Sequence, residues 1–156
     1  WWGAYGADNY KKLWKLMYER FTYVHHLNNL IWVFNGQDAD WYPGDEYVDI
    51  IAEDVYTEPH DYESHYNRFE QALSYTDKLK IIGLAETGVI PDPDLMVEDN
   101  ACWSFFITWS DLFVVDKKTG KISDEYTELD HFIEAYNSSR IITLDELPDL
   151  ENYPLD

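Results

Sequence analysis

Short runs of apolar and β-branched residues recur along the chain, and each is followed by a loop and usually by an amphipathic segment. Near-continuous apolar runs, without strict alternation, are typical of strands that are covered on both faces in a parallel sheet. The four runs cover residues 30–34, 48–52, 80–86 and 102–109. We therefore predict four parallel strands.

Apolar residues spaced by three or four positions predict amphipathic helices between and after these strands. Strands that alternate with helices indicate βα units joined by right-handed crossovers. The prediction is an α/β fold in which residues 1–156 form a single domain and the apolar stripes face the core. The stripes are Tyr10, Leu13, Trp14, Met17, Phe21 and Val24; Tyr62, Tyr66, Phe69 and Leu73; and Tyr126, Leu129, Ile133 and Tyr136.

Two irregular segments follow the ends of predicted strands. Residues 36–45 and 87–100 are rich in Gly, Pro, Asp and Asn, which favours loops. In a βα barrel the loops at the carboxyl ends of the strands carry the chemistry. We therefore look for functional residues at these two places.

The charge of the chain narrows the possible ligands. A formal net charge of -20 argues against nucleic acid, because nothing here could neutralise a row of phosphates. An anionic membrane surface is disfavoured for the same reason, and no apolar stretch approaches the ~20 residues that span a bilayer. A neutral substrate is compatible with this charge. Seven Trp and thirteen Tyr can fill a core or line a groove for a sugar.

Neither metal nor nucleotide chemistry has a recognisable motif in the sequence. There is no HExxH, P-loop or GxGxxG pattern, and the histidines do not form a convincing metal site. Cys102 is the only cysteine, which excludes an internal disulfide, and its place in an apolar run predicts a small buried side chain. We predict no metal and no cofactor.

Glu86 is the strongest candidate for a catalytic residue. It ends an apolar strand just before Thr87 and Gly88, so its carboxylate is expected at the carboxyl-terminal rim of the sheet. A carboxylate there is costly unless it is hydrogen-bonded or used. Asp54 and Tyr56 also end a strand on one face, and a tyrosine hydroxyl can orient a carboxylate. A helix cap or surface ion pair for Glu86, and strand-end capping by Asp54 and Tyr56, stay open as alternatives.

Aromatic residues stand near these carboxylates in the predicted fold. Trp109 ends the fourth run and Trp41 lies in the loop after the first run, where Asn35 also follows the strand. Aromatic rings at a rim can hold pyranose rings through apolar contact. A single tryptophan is weak evidence, and several around one carboxylate are moderate evidence.

The order of these motifs resembles glycoside hydrolase family 26. The similarity rests on WWG at 1–3, NNLIWV at 28–33, WYPGD at 41–45, AETG at 85–88 and IITLDELP at 141–148. It extends over nearly the whole chain, and the WYPGD and AETG segments together are specific.

The resemblance implies a role for each matching position. It implies that the chain holds about strands five to eight of a (β/α)8 barrel, with Glu86 as the nucleophile on the seventh strand. Tyr56, paired with Asp54 after the sixth strand, would contact the nucleophile. Trp109 would be the platform beneath the sugar, and Trp2 would belong to an aromatic loop after the fourth strand. The predicted catalytic residues are Glu86 and Tyr56, and the predicted substrate-binding residues are Trp2, Asn35, Trp41, Asp54 and Trp109.

The family's general acid/base is a Glu in an Arg-Pro-x-His-Glu segment just before the Trp-Trp-Gly motif. The resemblance therefore implies that this Glu lies upstream of the chain, and we expect the N-terminal half of the barrel to be a partner. The expected activity is retaining hydrolysis of internal β-1,4-mannosidic bonds by a secreted enzyme. Two alternatives stay open: a mixed-linkage β-glucanase or xylanase of the same family, and a non-catalytic polysaccharide-binding module.

Overall fold

A computed structural model describes residues 3–149 and 152 of the chain. At its centre is a parallel sheet of four strands whose spatial order is the order of the chain. The strands are β1 (Val33–Phe34), β2 (Ile50–Val55), β3 (Ile81–Thr87) and β4 (Phe106–Thr108). Each of the four predicted apolar runs contributes one strand, which confirms the prediction of a parallel α/β sheet.

Four α-helices accompany the sheet in the described part of the chain: α1 (Ala7–Glu19), α2 (Tyr66–Leu73), α3 (Pro93–Glu98) and α4 (Leu129–Tyr136). Helix α1 continues into wider π-helical turns at Arg20–Val24. The apolar stripes correctly located α1, α2 and α4, but the expectation that they face the core was wrong for members such as Leu13, Leu73 and Ile133, which are exposed. Tyr62 and Tyr126 lie before the helices that their stripes predicted, because the two chain segments enter α2 and α4 through loops.

Helix α3 lies inside the segment predicted to be irregular. The carboxylate of Asp92 accepts hydrogen bonds from the backbone N–H groups of Asp94 (2.8 Å) and Leu95 (3.2 Å). Pro93 occupies the first turn, where a missing N–H costs nothing and the fixed φ favours a helix. A capping residue followed by proline thus begins a short helix among residues that otherwise favour loops.

The core lies between the sheet and the helices that cover it. Trp103 packs edge-to-face on Phe69 of α2 at 5.1 Å, and its indole N–H donates to the carbonyl of Ser64 at 2.9 Å. Helix α2 thereby closes over β2 and β3. The largest apolar side chains in this buried cluster are Phe34, Ile51, Phe69, Tyr75, Ile82, Leu84, Met96 and Trp103.

Two expectations about the apolar runs were wrong in detail. In the first run only Val33 and Phe34 form a strand, because pairing with β2 begins after Trp32, whose carbonyl accepts from the N–H groups of residues 49 and 50. Cys102 is exposed and free. The segment before β4 alternates, so Ala101 and Trp103 are buried while Cys102 faces outward.

A small antiparallel hairpin follows the sheet. Its strands are β5 (Val115–Asp116) and β6 (Lys121–Ile122), and a one-turn 3-10 helix at Asp111–Phe113 leads into it from β4. Among the described residues, no helix is long and apolar enough to cross a membrane.

Candidate active site

The candidate site forms where β2 and β3 end beside each other. In the register of this pair, Asp54 lies opposite Glu86 and Val55 opposite Thr87, after an irregularity between Glu53 and Asp54. The carboxyl ends of parallel strands meet at one edge, so two acidic side chains from distant parts of the sequence become neighbours. This is the edge at which βα proteins place their chemistry.

Tyr56 and Glu86 are in direct contact at this edge. The Tyr56 hydroxyl donates a hydrogen bond to Glu86 Oε2 at 2.7 Å. Burial, this hydrogen bond and the negative charge of Glu86 together raise the pKa of Tyr56 above its ordinary value, so the phenol stays protonated and remains a donor. The contact that the resemblance implied is present, and the catalytic roles of both residues stay predictions.

Asp54 is held by two amide side chains. Asn35 donates to Oδ1 at 2.7 Å and Gln37 donates to Oδ2 at 2.9 Å. Burial and the nearby charge of Glu86 raise the pKa of Asp54, while the hydrogen bonds from Asn35 and Gln37 oppose this shift. Two of the predicted substrate-binding residues, Asn35 and Asp54, are therefore in direct contact, and Asp54 lies opposite Glu86 in the strand register.

A polar network that the sequence analysis missed lies behind Asp54. The Arg68 guanidinium donates to Gln37 Oε1 at 2.6 Å and forms a short ion pair with Glu53. Glu53 is fully buried and also accepts from the Tyr75 hydroxyl at 2.7 Å. Burial raises the pKa of Glu53, against the opposing effects of Tyr75 and Arg68. The usable signal was Glu53 itself, a carboxylate inside an apolar strand that requires a buried partner.

The predicted aromatic residues lie in different surroundings. Trp109 follows β4, and its backbone N–H donates to the carbonyl of Thr87 at 2.9 Å, which places it beside the end of β3 with its side chain exposed. The Trp41 ring packs edge-to-face on Tyr10 of α1 at 5.3 Å and is partly buried against the core. Trp2 lies outside the described residues. Binding of substrate by each of the three stays a prediction.

Within residues 3–149 and 152, no group of three or more His, Cys, Asp or Glu side chains could hold a metal ion. The chemistry available at the strand ends is that of a carboxylate, a protonated phenol and a second hydrogen-bonded carboxylate. A carboxylate oriented by a neutral hydroxyl is suited to attack an electrophilic carbon.

Comparisons with known proteins agree on one relationship. The sequence profile of Glycosyl hydrolase family 26 matches residues 1–146. A mannan endo-1,4-beta-mannosidase of Thermothelomyces thermophilus is 37% identical over 94% of this chain, and mannan endo-1,4-beta-mannosidase B of Piromyces sp is 35% identical over 95%.

Two solved mannanase structures are also similar to this chain. A GH26-CBM35 β-(1,4)-mannanase from Podospora anserina has a TM-score of 0.84 and 37% identity over 94% of this chain. A β-mannanase from a symbiotic protist of the termite Reticulitermes speratus, complexed with a gluco-manno-oligosaccharide, has a TM-score of 0.81 and 38% identity over 95% of the chain.

Fold and relatives together place the chain among the glycoside hydrolases that are built on a (β/α)8 barrel, and its four parallel strands are the C-terminal part of that barrel. The chain belongs to glycosyl hydrolase family 26. It spans 29% and 24% of the length of the two curated relatives, and 31% and 44% of the two solved chains.

Proposed function

We propose that the chain carries the nucleophile of a retaining endo-β-1,4-mannanase. The observation that carries this proposal is the hydrogen bond from Tyr56 to Glu86 Oε2, at the carboxyl-terminal ends of two adjacent barrel strands. Family membership supports the reaction class, and the names of the relatives support mannan as the substrate.

The reaction proceeds in two displacements. A Glu86 oxygen attacks the anomeric carbon, the bond to the leaving oxygen breaks, and an acid protonates that oxygen as it departs. Water then attacks the glycosyl ester, the conjugate base of the same acid takes a proton from the water, and Glu86 is released. Retaining enzymes need the two carboxyl groups about 5–5.5 Å apart. The family resemblance implies that the second group is a glutamate preceding Trp1, outside this sequence.

Asp54 and Tyr56 support the nucleophile in different ways. The Tyr56 hydroxyl binds one oxygen of Glu86 and leaves the other for attack. Asp54 lies opposite Glu86 on β2 and is kept in place by Asn35 and Gln37. Trp109 offers an exposed aromatic face next to the end of β3, where apolar contact with a sugar ring is possible.

The open sides of the sheet support a partner. In the described part of the chain β1 pairs with β2 alone and β4 with β3 alone, so each outer strand presents one unpaired edge. The edge at β4 carries Ile107, which is 56% exposed. Unpaired parallel edges with apolar side chains favour association, and we propose that the N-terminal half of the barrel pairs with them. Because the proposed substrate, mannan, is an extracellular polymer, we also propose that the enzyme is secreted.

Covalent trapping tests the nucleophile without requiring the acid. The reagent is a 2,4-dinitrophenyl 2-deoxy-2-fluoro-β-mannoside. Its dinitrophenolate leaving group departs without help from an acid, and the fluorine slows hydrolysis of the glycosyl-enzyme. We expect mass spectrometry to locate the label on Glu86 of the chain, tested alone and joined to the N-terminal part of the Thermothelomyces thermophilus relative. A label elsewhere, or none in either form, would contradict the proposal.

Two controls sharpen the trapping experiment. Glu86→Gln should take up no label, whereas Glu98→Gln, an exposed residue at the end of α3, should be labelled like the parent chain. The gluco-configured reagent is run beside the manno-configured one, and faster labelling by it would favour the glucanase alternative. Release of reducing sugar from galactomannan by the joined protein is expected to fall by roughly 10³-fold or more in Glu86→Gln, because loss of a nucleophile removes the covalent route.

A further inference from the structure

The ring of Tyr56 is held by more than its hydrogen bond to Glu86. Its side chain is 48% exposed at the end of β2, where a free phenol could rotate into solvent. Phe113 packs edge-to-face on the Tyr56 ring, with centroids 5.7 Å apart and planes at 71°. This is a preferred geometry for two aromatic rings and adds a directional contact to simple burial.

Phe113 is itself anchored from two directions. It lies in the 3-10 turn that follows β4, and the N–H of Val114 closes this turn by donating to the carbonyl of Asp111 at 2.8 Å. Its ring stacks on Tyr126, with centroids 4.0 Å apart. The carbonyl of Tyr126 accepts from the N–H of His60 at 2.9 Å, which ties this support to the loop after β2.

The rings of Tyr56 and Phe113 both lie close against the backbone of Gly88. A Cβ built on Gly88 would lie 3.0 Å from Phe113 Cε1 and 3.0 Å from Tyr56 Cδ1, closer than most such contacts. The Gly88 backbone is fixed because its N–H donates to the carbonyl of Val55 at 3.1 Å. The Tyr56 ring is therefore confined between the backbone after the nucleophile and the edge of Phe113.

We propose that Phe113 is a positioning residue for the nucleophile: it confines the Tyr56 ring so that the hydroxyl holds Glu86 Oε2 and leaves Oε1 directed at the anomeric carbon. The inference rests on the function proposed above. Phe113 touches Tyr56 and acts on Glu86 only through it. Releasing the Tyr56 ring lets the carboxylate rotate away from the attacking orientation, which lowers the rate without weakening substrate binding.

Labelling kinetics provide the first test. Phe113→Ala should lower the maximal rate of labelling by the fluoromannoside about tenfold, while the reagent concentration at half-maximal rate stays nearly unchanged. Phe113→Tyr keeps the ring and should restore the rate. In a Tyr56→Phe background the Phe113→Ala change should have almost no further effect, because its only route to Glu86 is already lost. Equal, independent losses from the two substitutions would overturn the proposal.

A second test does not depend on activity. With 3-fluorotyrosine at position 56, ¹⁹F NMR reports the pH at which this phenol loses its proton. The charged groups that act on Tyr56 are Glu86 on β3 and Asp54 on β2. If Phe113→Ala frees the ring, Tyr56 separates from Glu86 and should lose its proton at lower pH than in the parent chain. In a Glu86→Gln background the same substitution should produce a much smaller change.

The two tests separate the possible failures. A chain that takes up no label fails the proposed function, yet the ¹⁹F titration still decides whether Phe113 fixes Tyr56. Unchanged titration in a Phe113→Ala variant that keeps the parent's urea midpoint would overturn the positioning role. If that variant is less stable than the parent chain, Phe113→Leu replaces it, because leucine retains apolar bulk without the ring edge. Phe113→Leu is also expected to lower the pH at which Tyr56 loses its proton.

Discussion

Two tyrosine–carboxylate pairs in this molecule have the same hydrogen-bond length in opposite surroundings. Tyr75 donates to Glu53 at 2.7 Å, and Tyr56 donates to Glu86 at 2.7 Å. The first pair is buried beneath α2, with Arg68 as counter-ion, while the second is open to solvent at the strand ends. A hydrogen bond contributes most to stability where water cannot replace the lost partner. The buried pair should therefore stabilise the fold, and the exposed pair should orient a reactive group.

Removing the counter-ion of the buried pair is expected to have the largest effect on the free energy of unfolding. Arg68→Met leaves the Glu53 carboxylate buried without its ion-pair partner and should lower the free energy of unfolding by about 3–5 kcal/mol. Urea denaturation measures the change. Arg140→Met is the matched control, since Arg140 pairs with Asp94 at 3.3 Å on the surface and should contribute less than about 1 kcal/mol. Similar losses in both variants would contradict this account of Glu53.

Removing one hydroxyl from each pair gives the next largest effect. Tyr75→Phe leaves a buried carboxylate oxygen without its donor and should cost about 1.5–3 kcal/mol. Tyr56→Phe should cost less than about 0.5 kcal/mol, because water can reach Glu86 Oε2. Both values come from urea midpoints at neutral pH. A larger stability loss from Tyr56→Phe than from Tyr75→Phe would reverse the assignment of the two pairs.

Alkaline pH should have the smallest effect on the free energy of unfolding. Burial, chiefly, raises the pKa values of Tyr42, Tyr56 and Tyr75 above the ordinary tyrosine value. A raised folded-state pKa gives a stability contribution that is complete below the unfolded pKa, near pH 10, and is lost as the pH rises through the folded pKa. The free energy of unfolding should therefore fall as the pH rises above about 10.

The Tyr75→Phe variant isolates one of these contributions. It should show a shallower loss of stability between about pH 10 and pH 12 than the parent chain, because one phenol no longer titrates. Chemical denaturation at several pH values compares the slopes. Identical slopes would show that Tyr75 does not hold its proton more tightly in the folded state than in the unfolded chain.

The sequence predicted the central strand β3 better than it predicted the start of β1 or the short helix α3. Residues 80–86 were predicted as a strand and β3 covers Ile81–Thr87, because a continuous apolar run buried on both faces leaves few alternatives. The first run failed at Leu30 and Ile31, which precede the pairing with β2 and are exposed. Hydrophobicity alone does not reveal where the partner strand begins. Helix α3 was missed although Asp92 and Pro93 are a recognisable start signal.

The candidate site was predictable where a motif marks it and not where distant segments meet. Glu86 was a candidate because it lies near the end of an apolar strand in the AETG segment, and Tyr56 because it follows the strand that carries Asp54. Phe113 carried no such signal, since its contact with Tyr56 joins residues far apart in the sequence. Arg68 and Gln37 were missed for the same reason: their hydrogen bond depends on how α2 packs over the loop after β1.

Gln37 also limits how the sequence can vary. Its Nε2 donates to Asp54 and its Oε1 accepts from Arg68, so the position needs one donor and one acceptor on a neutral group. Glutamate would set a negative charge against Asp54, and lysine would set a positive charge against Arg68. The backbone there is left-handed (φ 57°), which strongly disfavours β-branched residues as well. Among active relatives with this same loop, position 37 should accept few replacements, although its side-chain amide bonds to Asp54 and Arg68 and not to the proposed nucleophile.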